Sequence, residues 1–122
     1  MEKLSERLSP EHNKTECRRS VNAVRDALYV LGGKWKLPIL VVLEYGPQRF
    51  TEVQRQIEGI TPKLLSKELK ELEMNGFVTR RVQPTTPVLI EYELTEYATS
   101  LQGIFAALRD WGIQHQARVR SL

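Results

Sequence analysis

Cysteine is nearly missing from this 122-residue sequence: Cys17 stands alone, so no disulfide can close within the chain. Histidine is almost as scarce, with only His12 and His115. A metal site built from several such ligands is nearly excluded on numbers, and no cofactor is expected. No apolar run approaches the roughly 18 residues that a membrane helix needs. Met1 to Pro10 lack the apolar centre of a signal peptide. The expectations are a cytoplasmic location and no membrane partner. Net charge is scarce too. Eighteen Lys+Arg against 15 Asp+Glu leave a formal +3. That total does not argue for a polyanionic partner, so the placement of the charges has to decide.

What is present is one ordinary domain of globular composition, 41% hydrophobic and 27% charged. Residues 1–20 are polar and mixed in charge and read as a mobile arm, with a short helix around Lys3 to Leu8. From Val21, the residues Val24, Ala27, Leu28 and Leu31 recur at helical spacing, until Gly32-Gly33 stops them. A second helix is expected over Lys36 to Tyr45, with Pro38 in its first turn. Thr51-Glu52-Val53-Gln54 has the pattern of a capping box, opening a short helix from Glu52 to Ile57. Gly59 breaks it. Thr61 then caps a helix with Pro62 at its first position, running to Asn75-Gly76. Two helices joined by a short turn containing glycine form a helix-turn-helix.

Past Gly76 the residues favour strands. Val78 to Val82 and Val88 to Leu94 flank Gln83-Pro84-Thr85-Thr86-Pro87, whose prolines stiffen the loop. A last helix is expected from Thr95, as its cap, to Arg118. The order predicts a mainly α fold with a small β-hairpin wing. It is a winged helix-turn-helix (residues 21–118) with extra N- and C-terminal dimerisation helices.

The angular pattern of the helix over residues 61–75 is informative. At about 100° per residue from Pro62, Leu65, Leu69 and Leu72 fall at about 300°, 340° and 280°. Lys63, Lys67 and Lys70 fall opposite, at about 100°, 140° and 80°. Of the helix's acids, only Glu71, at about 180°, approaches the lysine sector. One face can therefore pack while the other meets phosphates in a groove. An ordinary amphipathic surface helix is the competing reading. The candidate DNA-binding residues on this helix are Thr61, Pro62, Lys63, Leu64, Ser66, Lys67 and Lys70. Leu64 lies off the core stripe, where it suits a neighbouring helix or a thymine methyl.

The wing over residues 78–94 offers Arg80, Arg81, Thr85 and Thr86 to phosphates or a narrow minor groove. Strand alternation sends only one of the two arginines outward and leaves open which. Arg49, before the capping box, is a further phosphate candidate. In the helix over residues 95–118, Leu101, Ile104, Phe105, Leu108 and Trp111 recur at three- and four-residue spacing. Together with Val24 and Leu28 they are expected to form a homodimer interface. The competing reading is burial on their own domain. A two-fold dimer would read two half-sites of a palindromic operator in double-stranded DNA.

The chain resembles the HxlR-type transcriptional regulators, a branch of the MarR-like winged-helix proteins. The resemblance rests on Leu31-Gly32-Gly33-Lys34-Trp35, on Gly46 to Val53, on Gly59 to Leu65, on Leu69 to Glu73 with Gly76, and on Pro84 to Pro87 with Glu91 to Glu96. It spans roughly Val21 to Trp111. It implies a dimeric DNA-binding repressor or activator of bacterial type, often responsive to a small-molecule effector, electrophile or oxidant through a cysteine near the first helix. Where that family often carries Cys-Pro, this chain has Asn22-Ala23. Cys17 is then the candidate redox sensor, against an inert thiol.

Two rival functions are weaker. Gly32-Gly33-Lys34-Trp35 superficially resembles a phosphate loop but lacks its spacing and its Ser/Thr, and His115 has no evident acid or nucleophile partner, so an enzyme is not expected. A winged helix that binds only protein, without specific DNA binding, remains the alternative. Salt dependence separates it, because binding through phosphates weakens steeply with added salt.

Overall fold

A computed structural model describes residues 10–122, with side chains from Asn13 onward. The helix expected around Lys3 to Leu8 lies outside the described residues. The chain divides into two compact units, Met1–Gly33 and Lys34–Leu122.

The first unit is the helix α1, Pro10–Leu31. It begins inside the stretch read as a polar arm, well before the apolar pattern starts at Val21. Pro10 is tolerated there because a first-turn residue needs no helical N–H partner. The Glu, Lys and Arg residues that follow are good helix formers even without an apolar face. Gly32 N–H closes the helix onto the Leu28 carbonyl at 2.7 Å.

The second unit starts with α2, Lys36–Leu43. Pro38 sits in its first turn as expected. Ile39, Leu40 and Leu43 are fully buried and anchor the unit's core. Helix α3 is Phe50–Gln56, and α4 is Pro62–Met74. The turn between them places Gly59 at φ 87°, a backbone conformation that a β-carbon disfavours. Ile57 and Ile60 are buried on either side of it.

Helix α4 ends as its sequence predicts. Gly76 takes φ 82°, its N–H reaches the Glu73 carbonyl at 3.1 Å, and Phe77 N–H reaches the Leu72 carbonyl at 2.9 Å. These two bonds form a Schellman closure, with buried Phe77 as its apolar lock. The chain passes directly into β1, Val78–Gln83, which pairs antiparallel with β2, Leu89–Leu94. The register sets Arg80 opposite Tyr92 and Arg81 opposite Glu91.

The final helix differs from its expected form. Thr95 Oγ1 accepts from Ala98 N–H at 3.3 Å, so it does cap the segment. What it caps is a 3₁₀ turn, Tyr97–Leu101, and the α-helix proper, α5, is Gln102–Ser121. The tighter turn eclipses side chains three apart and drops both Ala98 and Leu101 into the core.

Candidate nucleic-acid interface

Helix α4 carries the lysines. Thr61 caps it, its Oγ1 accepting from Leu64 N–H at 3.2 Å. Leu65, Leu69 and Leu72 are at most 1% exposed. Truncating any one of them to Ala would cost about 2–5 kcal/mol, so this face is fixed to the domain. Lys63, Lys67 and Lys70 are all exposed on the opposite side, and none forms an ion pair with a described residue. Thr61, Pro62 and Ser66 are exposed beside them, while Leu64 is half-buried.

Two of the three acids of this helix are paired by a residue the sequence pattern does not single out. Lys36, at the start of α2, places Nζ 2.6 Å from Glu68 Oε2 and 2.5 Å from Glu71 Oε2. Burial lowers the affinity of Lys36 for its proton, but the hydrogen bonds and charges of the two carboxylates outweigh it and the pKa ends up raised. Glu71 is held below its ordinary value by its hydrogen bond from Lys36, with Lys67 adding a smaller attraction. No local spacing reveals this cluster, because Lys36 lies 32 and 35 residues from its partners. It depends on how α2 packs against α4.

The start of α3 corrects the expected capping box. The helix begins at Phe50, and Arg49 occupies the cap position. Glu52, at the third helical position, accepts from Arg49 N–H at 2.8 Å, so Thr51 is not the cap. The same carboxylate lies 3.3 Å from Arg49 Nε, and its pKa is lowered chiefly by the backbone hydrogen bond. Arg49 remains more than half exposed, yet part of its charge is already answered.

The wing replaces a choice with a distinction. Alternation alone would hide one arginine, but both Arg80 and Arg81 are exposed. Beyond Val78 the two-stranded ribbon has no covered face along β1, so strand parity no longer decides exposure. It decides company. Arg81 shares its face with Thr79, Gln83, Glu91 and Glu93, and its Nη1 lies 3.4 Å from Glu93 Oε2. Arg80 lies on the other face and pairs with no described acid. At the tip, exposed Thr85 donates its hydroxyl to the Pro87 carbonyl at 2.7 Å, and its N–H reaches the Gln83 carbonyl at 2.8 Å. Thr86 beside it is exposed.

The residues expected at a dimer interface divide into two sets. Val24 and Leu28 on α1 are 57% exposed, and Ile104, Leu108 and Trp111 on α5 are also exposed. Leu101 and Phe105 are not available to a partner; they are 6% and 1% exposed and belong to the core. One edge of the apolar face of the final helical segment, at Leu101 and Phe105, is buried in the domain, while Ile104, Leu108 and Trp111 stay exposed. Trp111 stacks on His115, with ring centroids 4.9 Å apart. Cys17 is exposed on α1. Among the described residues no cluster could hold a metal ion, and no helix is long and apolar enough to cross a membrane.

Comparison with known proteins decides the family. The HxlR-like helix-turn-helix family profile matches residues 30–120. The chain belongs to the HxlR-like helix-turn-helix family. It is 44% identical over 97 residues to the helix-turn-helix-type transcriptional regulator YtcD of Bacillus subtilis strain 168, covering 80% of this chain and 77% of that one. It is 43% identical over 91 residues to the regulator YodB of the same organism, covering 75% and 81%. Among solved structures, the redox regulator HypR in its reduced form superposes with a TM-score of 0.75 at 35% identity, over 82% of this chain and 99% of that one. This HxlR-type chain is thus a DNA-binding transcriptional regulator built on a winged helix-turn-helix, and not a protein-interaction module on that fold.

Proposed function

We propose that the protein acts as a homodimer on a palindromic operator, with α4 in the major groove and the β1–β2 wing over adjacent phosphates or minor groove. The observation that carries this reading is the exposed Lys63, Lys67 and Lys70 face opposite a fully buried leucine face. Lys63, Lys67 and Lys70 would meet phosphates and base edges, with Thr61, Pro62, Leu64 and Ser66 beside them. Arg49, Arg80, Arg81, Thr85 and Thr86 would hold the flanking backbone. Exposed Val24, Leu28, Ile104, Leu108 and Trp111 support self-association, because a monomer gains nothing from leaving such stripes in water. The site serves binding, not catalysis, and the cytoplasm is where its DNA lies.

Nuclease footprinting on the DNA flanking its own gene tests the proposal. Two protected half-sites centred about one helical turn apart are expected. A single protected half-site would contradict the dimer reading.

We extend the proposal to a thiol response through Cys17. Support comes from its exposure on α1 and from HypR, a redox regulator solved in reduced and oxidised forms. DNA binding would be measured for wild type and Cys17→Ser before and after an oxidant. Equal responses would remove Cys17 from the mechanism.

A further inference from the structure

We propose that Lys36 raises the affinity of α4 for DNA without touching DNA, by offsetting the charges of Glu68 and Glu71 beside the lysine face, one positive charge against two negative. The inference rests on the reading that α4 meets phosphates. Helix α4 holds Lys63, Lys67 and Lys70 but also Glu68, Glu71 and Glu73, so taken alone it is neutral. A neutral helix has no net attraction for a polyanion. The structure changes that balance from outside the helix. One ammonium group bridges two carboxylates at 2.6 and 2.5 Å, and the side chains of Lys36 and Glu68 are each only 12% exposed. The three groups together carry one net negative charge instead of two, so α4 taken with Lys36 is net positive.

Glu71 matters most. At 40% side-chain exposure it reaches solvent, and it is near enough to Lys67 to feel its charge. Without Lys36, Glu71 would stand as a bare anion at the edge of the lysine sector. Glu68 would follow it, because an unpaired, largely buried carboxylate turns toward water. Two anions would then oppose the same phosphates that three lysines attract. Lys36 is therefore a positioning residue for charge: in the native protein its ammonium is engaged by the two glutamates, and it favours DNA by offsetting them.

The experiment measures the affinity of the full chain for a mixed-sequence DNA duplex, as a function of salt, in five proteins: wild type, three variants of the cluster and one control. Lys36→Met should weaken binding about tenfold at low salt, the effect of one lost positive charge that leaves two carboxylates unpaired several ångströms from phosphates. Adding Glu68→Gln and Glu71→Gln to that variant should restore binding to within about threefold of wild type, because the amides cannot repel phosphate. Glu68→Gln with Glu71→Gln in the presence of Lys36 should bind more tightly than wild type, since Lys36 is then an uncompensated cation. This double variant keeps the test decisive even if Lys36→Met fails to fold.

A purely structural ion pair predicts a different order, with every variant that breaks it equally weak. That result would overturn the proposal, as would unchanged or weaker binding by the double variant. Replacing Lys63, Lys67 and Lys70 by Ala is the control. If it leaves binding intact, the α4 reading and this inference fall together. If it abolishes binding while Lys36→Met stays at wild-type affinity, only the role of Lys36 falls.

Discussion

Gln48 and Tyr92 exchange both of their backbone hydrogen bonds, at 2.9 and 2.8 Å, and so tie the approach to the helix-turn-helix to the returning strand of the wing. Thr95 makes a second tie: its hydroxyl donates to the Gly76 carbonyl at 2.6 Å, and its N–H reaches the Phe77 carbonyl at 3.0 Å. The base of the wing is thereby joined to the end of α4. The two proposed DNA-binding elements become one platform rather than two pieces on a flexible linker.

Hydrogen exchange can read that tie. The amides of Gln48 and Tyr92 should exchange at least about a hundredfold more slowly than that of Thr86 at the wing tip, because opening them requires the platform to come apart. Equal rates would mean that the wing moves independently.

The two wing arginines should differ in effect. Arg80 has no acidic partner among the described residues, whereas Arg81 is already engaged with Glu93. Arg80→Ala should lower DNA affinity about tenfold and Arg81→Ala less than about threefold, measured by fluorescence anisotropy. A larger loss at Arg81 would place the other face of the ribbon against DNA.

Acid should expose the Lys36 cluster. Glu71 titrates below its ordinary 4.5 in the folded chain, so the unfolded chain binds its proton first. Its contribution to stability is present above 4.5 and is lost as pH falls through the depressed folded value. Lys36, raised above 10.5, behaves in the mirror sense: its contribution is complete below 10.5 and is lost as pH rises through the folded value. Urea midpoints measured from neutrality into the acid range should fall less steeply for Lys36→Met than for wild type. The difference should be modest, because Glu71 is partly solvated. Parallel pH profiles would detach the cluster from stability.

The buried and exposed parts of the apolar face of the final helical segment should separate by mutation. Phe105→Ala should cost about 3–5 kcal/mol of unfolding free energy, as a fully buried aromatic does. Leu108→Ser with Trp111→Ser should leave the domain folded but shift sedimentation from dimer to monomer. A dimer that survives both changes would contradict the proposed interface.

These elements show which parts of the molecule are local enough to read along the chain. The cap at Thr61, the glycine closure at Gly76 and the opposition of lysines to leucines depend on neighbours three or four residues away, and all are legible in the sequence. The fate of Leu101 and Phe105 is not, because periodicity finds an apolar face without saying what covers it. The start of α3 slips by two residues because Thr51 and Glu52 offer overlapping capping patterns, and Glu52 bonds to Arg49 instead. Lys36 is invisible for the plainest reason: its partners are brought to it only by the packing of α2 on α4.

The most direct test of the central claim is the salt dependence of DNA binding by wild type and by the variant with Lys63, Lys67 and Lys70 all changed to Ala. Each lysine that no longer neutralises a phosphate should flatten the slope of log affinity against log salt by about 0.9. The account predicts that the variant stays folded, binds far more weakly at low salt and has a slope shallower by about two to three units. An unchanged slope with unchanged affinity would show that DNA meets the protein somewhere other than the lysine face of α4.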